Sequence, residues 1–322
     1  MSSDELELPI IDLTGYLDPK SPQDKAQVVS DVRDACKRYG FFQVKGHGVP
    51  LSTQRKFLES LGNFFTLPKE EKQKLSFLKN PCRRGYEASG DTLREGDALP
   101  DSKEAFYIGQ EIADIGPFGF HGPNVWPNLP EEKFHGPIWE HYEHTTKLGR
   151  AIWEILLLGL GHSPELMEGF TKEPIVMMKM IRYPPSSLTR PGQFGVGAHS
   201  DFGGVTVLLQ QPDREGLEVW VEEKKEWLSV PATEDVYIIN CGDMIQKWSG
   251  MQYKSAKHRV INKGDAERFS SATFWHGDFD ATNPLNPNDP ARETVGQLLV
   301  KRFGSQFSLS KELIAATAAI SA

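Results

Sequence analysis

A histidine and an aspartate separated by one residue, His199 and Asp201, stand at the start of the apolar run in GVGAHSDFGGVTVLLQ. Residues i and i+2 of a β-strand point to the same side, so an imidazole nitrogen and a carboxylate oxygen could bind one metal ion here. The pattern alone is common, and it is also compatible with a strand-end aspartate beside a hydrogen-bonded histidine. A metal site would need a third ligand from elsewhere in the chain.

His258 is the best candidate for the third ligand, because it opens a predicted strand, HRVIN, in the strand-rich half of the chain. The next predicted strand, RFSSATFW, presents Arg268 and Ser270 on one face. Two histidines and one carboxylate on one face of an octahedral ion leave three positions open, as in non-haem Fe(II) oxygenases. An arginine with a neighbouring hydroxyl would suit the far carboxylate of a keto acid bound to such an ion.

This set of residues resembles the Fe(II)/2-oxoglutarate dioxygenases of the isopenicillin-N-synthase-like superfamily, and most of all microbial, especially fungal, members that act on small molecules. The spacing from Asp201 to His258 and from His258 to Arg268 contributes to the resemblance. It extends over residues 8 to 305 through the segments LPIIDLTGYL, YGFFQVKGHGV, FFTLPKEEK, CRRGYE, MIRYPP and NCGDMIQKWSGMQYKSAKHRV. The combination is far more specific than any one of these motifs.

The resemblance implies a role for each residue of the set. His199, Asp201 and His258 would be the iron ligands. Arg268 and Ser270 would bind the C5 carboxylate of 2-oxoglutarate. No further catalytic residue is implied beyond the iron centre.

Tyr183, in RYPP, matches the family tyrosine that supports the co-substrate carboxylate, although a core aromatic residue before a turn would look the same. The segments that correspond to the substrate loop and the pocket walls supply five candidates for substrate binding: Arg83, Arg84, Tyr86, Phe202 and Trp275. One of the two arginines would meet an anionic group of the substrate, and two solvated surface charges are the alternative.

The implied cofactors are Fe(II), 2-oxoglutarate and dioxygen, with ascorbate as a reductant. The implied reaction releases succinate and CO2 and hydroxylates, desaturates or rearranges a small molecule, with hydroxylation favoured. Isopenicillin N synthase keeps the Arg-x-Ser pair without using 2-oxoglutarate, so an Fe(II) oxidase stays open as an alternative. A non-catalytic jelly-roll protein with a structural metal is a second alternative, but a structural zinc site would have four ligands.

The composition excludes several other classes of protein. The chain has 322 residues, 39% hydrophobic and 25% charged, which is typical of a globular protein with a sizeable core. Its net charge of −8, without a Lys/Arg-rich stretch, argues against a nucleic-acid partner. Three scattered cysteines, no signal peptide and no membrane-spanning apolar run predict a cytoplasmic protein with no membrane partner.

Hydrophobic periodicity predicts one α+β domain with a double-stranded β-helix (jelly-roll) core and supporting α-helices. Helices are predicted in SPQDKAQVVSDVRDACKRYG, in LSTQRKFLESLGNFFTLP, in one long segment after Pro130 and in ETVGQLLVKRFGSQFSL. Short strands follow one another after residue 175. We therefore expect a mixed α/β region over 1–130, a long supporting helix in 131–175, the metal-binding core over 176–285 and a helical tail over 286–322.

Overall fold

The computed structural model describes residues 7–92 and 98–306, and in this part of the chain twelve β-strands form two sheets. The strands are β1 (Ile10–Asp12), β2 (Phe41–Lys45), β3 (Gly85–Glu87), β4 (Glu104–Gly109), β5 (Pro174–Tyr183), β6 (Val196–His199), β7 (Val205–Gln210), β8 (Leu217–Val221), β9 (Glu226–Ser229), β10 (Tyr237–Cys241), β11 (His258–Val260) and β12 (Arg268–Asp278). The larger sheet has the order β1-β2-β10-β7-β12-β5-β4-β3, and the smaller has the order β6-β11-β8-β9.

Helices cover the outer face of the larger sheet. The helices of the described residues are α1 (Thr14–Leu17), α2 (Pro22–Arg38), α3 (Leu51–Phe65), α4 (Lys69–Lys74), α5 (His135–Gly159), α6 (Asp243–Trp248) and α7 (Val295–Gln306). Helix α5 packs on β7 and β12, α3 packs on β5 and β12, and α2 packs on β2. This layer of helices fixes the larger sheet against which the site is built.

The predicted helices form, and their ends follow local chemistry. Helix α2 begins with a capping box, in which Ser21 Oγ accepts the Asp24 N–H and the Asp24 carboxylate accepts the Ser21 N–H. The helix predicted directly after Pro130 begins later, at His135, because Phe134 has non-helical backbone angles (φ −145°, ψ −70°). The end of the predicted helical tail, residues 307–322, lies outside the described residues.

Two separate cores stabilise this arrangement. The outer core lies between the larger sheet and the helices. The inner core lies between the two sheets and is formed by buried apolar side chains from both of them, among them Ile181, Tyr183, Val196, Leu217, Val219, Ile238 and Val260. This confirms the predicted jelly-roll with supporting helices, and it makes the space between the sheets the place where a site can be enclosed.

The first four strands are not a separate unit, because β1 to β4 belong to the same sheet as β5, β7, β10 and β12. Strand β4 pairs with β5, and β2 pairs with β10. No helix among the described residues is long and apolar enough to cross a membrane.

Candidate active site

The His-x-Asp pair and the distant histidine meet at one end of the smaller sheet. His199 is the last residue of β6 and His258 the first of β11, and the two lie opposite each other in the antiparallel register. Each Nε2 atom is 3.7 Å from Asp201 Oδ1, and ligand atoms of all three residues lie within 4.8 Å of one another. The structure therefore brings together the three residues predicted to bind a metal.

Backbone carbonyls fix the orientation of both imidazoles. Nδ1 of His199 is 2.9 Å from the Gly197 carbonyl oxygen, and Nδ1 of His258 is 3.3 Å from the Ala256 carbonyl oxygen. Because a carbonyl only accepts, each Nδ1 carries the proton and donates it. The lone pair of each Nε2 is then available for a metal.

Two hydrogen bonds to Oδ2 hold the carboxylate of Asp201 in place. Thr206 Oγ1 and Asn240 Nδ2 donate hydrogen bonds of 2.6 Å and 2.8 Å to Asp201 Oδ2, so Oδ1 is left to face the histidines. Burial raises the pKa of Asp201, but His258, His199 and these two donors outweigh it and lower the pKa to about 2. The carboxylate is therefore ionised at neutral pH, as a metal ligand must be.

We expect Thr206→Val to lower the affinity for Fe(II) by about 10- to 100-fold, because loss of an outer-shell partner frees the ligand to rotate. Anaerobic Fe(II) titration of the variant and the wild type measures this. Thr273→Val is the control, since the Thr273 hydroxyl bonds Thr145 in the outer core, 3.0 Å away. Equal affinities of Thr206→Val and wild type would show that the hydrogen bond to Asp201 does not position the ligand.

Arg268, Ser270 and Tyr183 form a second polar group between the sheets. Arg268 lies opposite Tyr183 in the β12–β5 register, and its guanidinium carbon is 4.8 Å from the centre of the Tyr183 ring. The Ser270 hydroxyl is 3.5 Å from the Tyr183 hydroxyl. The three residues predicted to bind the co-substrate are thus adjacent, and all three are buried.

The guanidinium of Arg268 is fixed but not fully satisfied. Its Nε donates to the Arg214 carbonyl at 2.9 Å and its Nη2 to Gln210 Oε1 at 2.7 Å, whereas the buried Nη1 has no hydrogen-bond partner in the described part of the chain. Among the described residues no carboxylate pairs with this charge. Burial lowers the pKa of Arg268, and Tyr183 opposes this effect. An arginine stays protonated even so, and a buried cation with a free donor fits the carboxylate of 2-oxoglutarate.

Strand β12 presents Phe274, not Trp275, to the metal cluster. Phe274 lies opposite Thr206 in the β12–β7 register, and Thr206 is the residue that bonds Asp201. Trp275 points to the other side, where it is 1% exposed and its ring centre is 6.2 Å from that of Trp153 on α5. The expectation that Trp275 lines the pocket is therefore corrected, because successive residues of a strand alternate between faces.

Tyr86 also makes its contacts outside the metal cluster. Its hydroxyl donates to Glu104 Oε2 at 2.5 Å, and the same oxygen accepts from Lys72 at 2.7 Å. The Tyr86 ring packs against Phe64 of α3, with 6.1 Å between ring centres. The structure thus places Tyr86 in a buried polar network beneath the helices and not beside the metal cluster.

The other three substrate candidates lie in different surroundings. Phe202 follows Asp201 directly, is half-buried, and has the guanidinium carbon of Arg302 on α7 at 6.0 Å from its ring centre. Arg84 is 1% exposed; its Nη2 donates to the Phe120 carbonyl at 2.8 Å, while Nε and Nη1 are buried without a partner. Arg83 is half-exposed in the turn before β3 and has a positive φ of 54°.

Two family models match the chain. The description of one is the 2OG-Fe(II) oxygenase superfamily, over residues 174–277, and that of the other is the N-terminal region of non-haem dioxygenases in morphine synthesis, over residues 8–129. The 2-oxoglutarate-dependent dioxygenase thnC of Trichoderma harzianum is 66% identical over 98% of each chain. The 2-oxoglutarate-dependent dioxygenase caaD of Aspergillus niger is 47% identical over 96% of each chain.

Solved structures share the fold. The crystal structure of a full-length Neurospora crassa protein in complex with alpha-KG and thymine has a TM-score of 0.82 at 23% identity, covering 95% of this chain and 99% of that chain. The structure of JOX2 in complex with 2OG, Fe and JA has a TM-score of 0.71 at 30% identity, covering 86% of this chain and 77% of that one.

Proposed function

The chain belongs to the 2OG-Fe(II) oxygenase superfamily, and we propose that it hydroxylates a small molecule of secondary metabolism with consumption of 2-oxoglutarate. One observation carries the proposal. The His199–Asp201–His258 cluster shares the space between the sheets with Arg268, whose buried Nη1 has no partner among the described residues. Three metal ligands, with no fourth among the residues that the structure describes, suit a catalytic ion, and the arginine suits a dicarboxylate co-substrate.

His199, Asp201 and His258 would hold Fe(II), and Arg268 with Ser270 and Tyr183 would hold the far carboxylate of 2-oxoglutarate. When bound, Fe(II) and 2-oxoglutarate supply the dioxygen chemistry, in which the keto acid is converted to succinate and CO2 while the substrate is oxidised.

The protein's own contribution is positioning and charge. Arg268 neutralises the co-substrate carboxylate in a buried place, where a hydrogen bond to a charged group is strong. Asp201 stays ionised because the hydrogen bonds from Thr206 and Asn240 stabilise its negative charge. The inner core around Tyr183 excludes bulk water from the co-substrate, so oxidation is directed to the bound substrate.

Arg84 is a candidate for binding an anionic group of the substrate, because two of its buried nitrogens lack a partner among the residues described. We infer from the family resemblance that ascorbate acts as the reductant. A cytoplasmic location is consistent with three buried free cysteines, Cys36, Cys82 and Cys241. The net charge of −8 supports a small molecule rather than a nucleic acid as the partner.

The reaction is tested by incubating the purified enzyme with Fe(II), 2-oxoglutarate and a fungal metabolite extract, followed by mass spectrometry. We expect one or more metabolites to gain one oxygen atom only when 2-oxoglutarate is present, with an equal amount of succinate formed. When the dioxygen is isotopically labelled, the label should appear in the oxygen atom that the product has gained. A substrate oxidised equally well without 2-oxoglutarate would contradict the proposal and support the Fe(II) oxidase.

A further inference from the structure

His276 is a buried histidine beside the metal cluster, with no part in the proposed binding of iron or 2-oxoglutarate. It is 5% exposed, and its ring is almost parallel to that of Phe274, with an interplanar angle of 5° and 6.4 Å between ring centres. The two side chains therefore share the face of β12 that is turned toward Asp201. Phe274 itself is only half-buried, so this face borders open space.

The imidazole of His276 rests on the backbone that follows Asp201. The Gly204 N–H donates to His276 Nδ1 at 3.3 Å. A Cβ atom on Gly203 would lie only 2.0 Å from the same nitrogen, so a glycine is needed at this position for the ring to sit there. The position of the imidazole is thus set by the same loop that presents the carboxylate ligand.

This hydrogen bond determines the tautomer. Because Nδ1 accepts, the proton of the neutral ring is on Nε2. Nε2 makes no hydrogen bond to a described residue, and His276 keeps a small exposed fraction of 5%. Burial lowers the pKa of His276 to about 4, although the charge of Asp201 opposes this, so the ring is uncharged at neutral pH. His276 therefore offers one N–H donor without a charge.

We propose that His276 determines substrate specificity by donating its Nε2 hydrogen bond to a carbonyl or hydroxyl oxygen of a ring compound that packs on Phe274. This inference rests on the proposed function and names its substrate class: an oxygen-substituted aromatic or conjugated ring. An aromatic side chain beside a single donor recognises such a ring by stacking and by one directed hydrogen bond. A compound of equal shape without the oxygen would leave the donor unsatisfied and would bind more weakly.

Two probes of similar shape test the proposal. Acetophenone has a carbonyl oxygen, and isopropylbenzene has a methyl group in place of that oxygen. Each is titrated anaerobically into the enzyme with Fe(II) and 2-oxoglutarate, and binding is followed by the change in the visible charge-transfer band of the Fe(II)–2-oxoglutarate complex. We expect the preference for acetophenone, as the ratio of the two Kd values, to fall by about three- to tenfold in His276→Leu. His276→Gln, which keeps a donor near Nε2, should restore most of the preference.

The ratio of the two Kd values distinguishes hydrogen bonding by His276 from a purely structural role, because a disturbed pocket weakens the binding of both probes equally. Equal losses of affinity for the two probes in His276→Leu would overturn the proposal, as would a wild type that does not bind acetophenone. His276→Phe replaces His276→Leu if the latter does not fold. His162→Leu is the control, since His162 Nε2 bonds the Leu285 carbonyl at 2.8 Å and its loss should leave the ratio unchanged.

If the proposed function is wrong, the anaerobic titration gives a different result. If the charge-transfer band does not form in the wild type, the enzyme does not bind 2-oxoglutarate at iron, and both proposals are overturned. If the band forms and the probe ratio is the same in wild type and His276→Leu, only the inference about His276 is overturned.

Discussion

His258→Ala should abolish the binding of Fe(II) and, with it, the consumption of 2-oxoglutarate. His258 supplies one of the three ligand atoms that the described part of the chain brings together, and its Nε2 is held 3.7 Å from Asp201 Oδ1. Loss of an outer-shell partner already costs about 10- to 100-fold in metal affinity, so loss of a ligand should cost more. Metal content after anaerobic loading and succinate formation are the two measurements.

The matched control is His162→Ala, which removes a half-buried histidine that bonds the Leu285 carbonyl. This control should keep wild-type metal content. A His258→Ala protein that still takes up one Fe(II) per chain and forms succinate would contradict the assignment of His258 as a ligand.

Arg268→Gln should raise the apparent KM for 2-oxoglutarate by about 30-fold or more, because removing one partner of a buried charge pair costs about 2–5 kcal/mol. Arg268→Lys should recover only part of the loss, since an ammonium group lacks the planar fork of the guanidinium. Initial rates of succinate formation over a range of 2-oxoglutarate concentrations give the KM.

Arg182→Gln is a suitable control for this experiment. Arg182 belongs to the neighbouring strand β5, but it points to the other face of the sheet, where it pairs with Glu104 and Glu267 at 2.6 and 2.7 Å. Loss of Arg182 should lower the stability of the protein and leave the KM for 2-oxoglutarate close to the wild-type value. An unchanged KM in Arg268→Gln would show that the arginine does not bind the co-substrate and would revive the Fe(II) oxidase alternative.

The metal cluster could be predicted because its chemistry is local in the sequence. His199 and Asp201 are two residues apart at a strand end, and His258 opens another strand. The alternation of a strand also placed Arg268 and Ser270 on one face. These patterns depend only on the geometry of single strands.

The same alternation, carried further along β12, places Phe274 on the face of Arg268 and Ser270. It therefore contradicts the choice of Trp275, which was selected for its aromatic character and not for its position. The signal for Phe274 was present in the sequence as the period of two. His276 lies at a register shift of the β12–β5 pairing, so its place beside the Phe274 ring could not be predicted from that period.

Contacts between distant strands could not be predicted in this way. Asn240 bonds Asp201 only because β10 and β7 are neighbours in the larger sheet, and this pairing follows from the complete topology. The same applies to the first four strands. Their membership of the larger sheet depends on the pairing of β2 with β10 and of β4 with β5, which no local pattern specifies.

The central claim is that this chain couples 2-oxoglutarate decarboxylation to the oxidation of a substrate at the His199–Asp201–His258 cluster. The most direct measurement is the release of labelled CO2 from 2-oxoglutarate that is radioactive at C1, in the presence of the metabolite extract. We predict release that requires Fe(II) and dioxygen, is matched by succinate, and is lost in His258→Ala. Substrate oxidation by the wild type without any release of labelled CO2 would contradict the account.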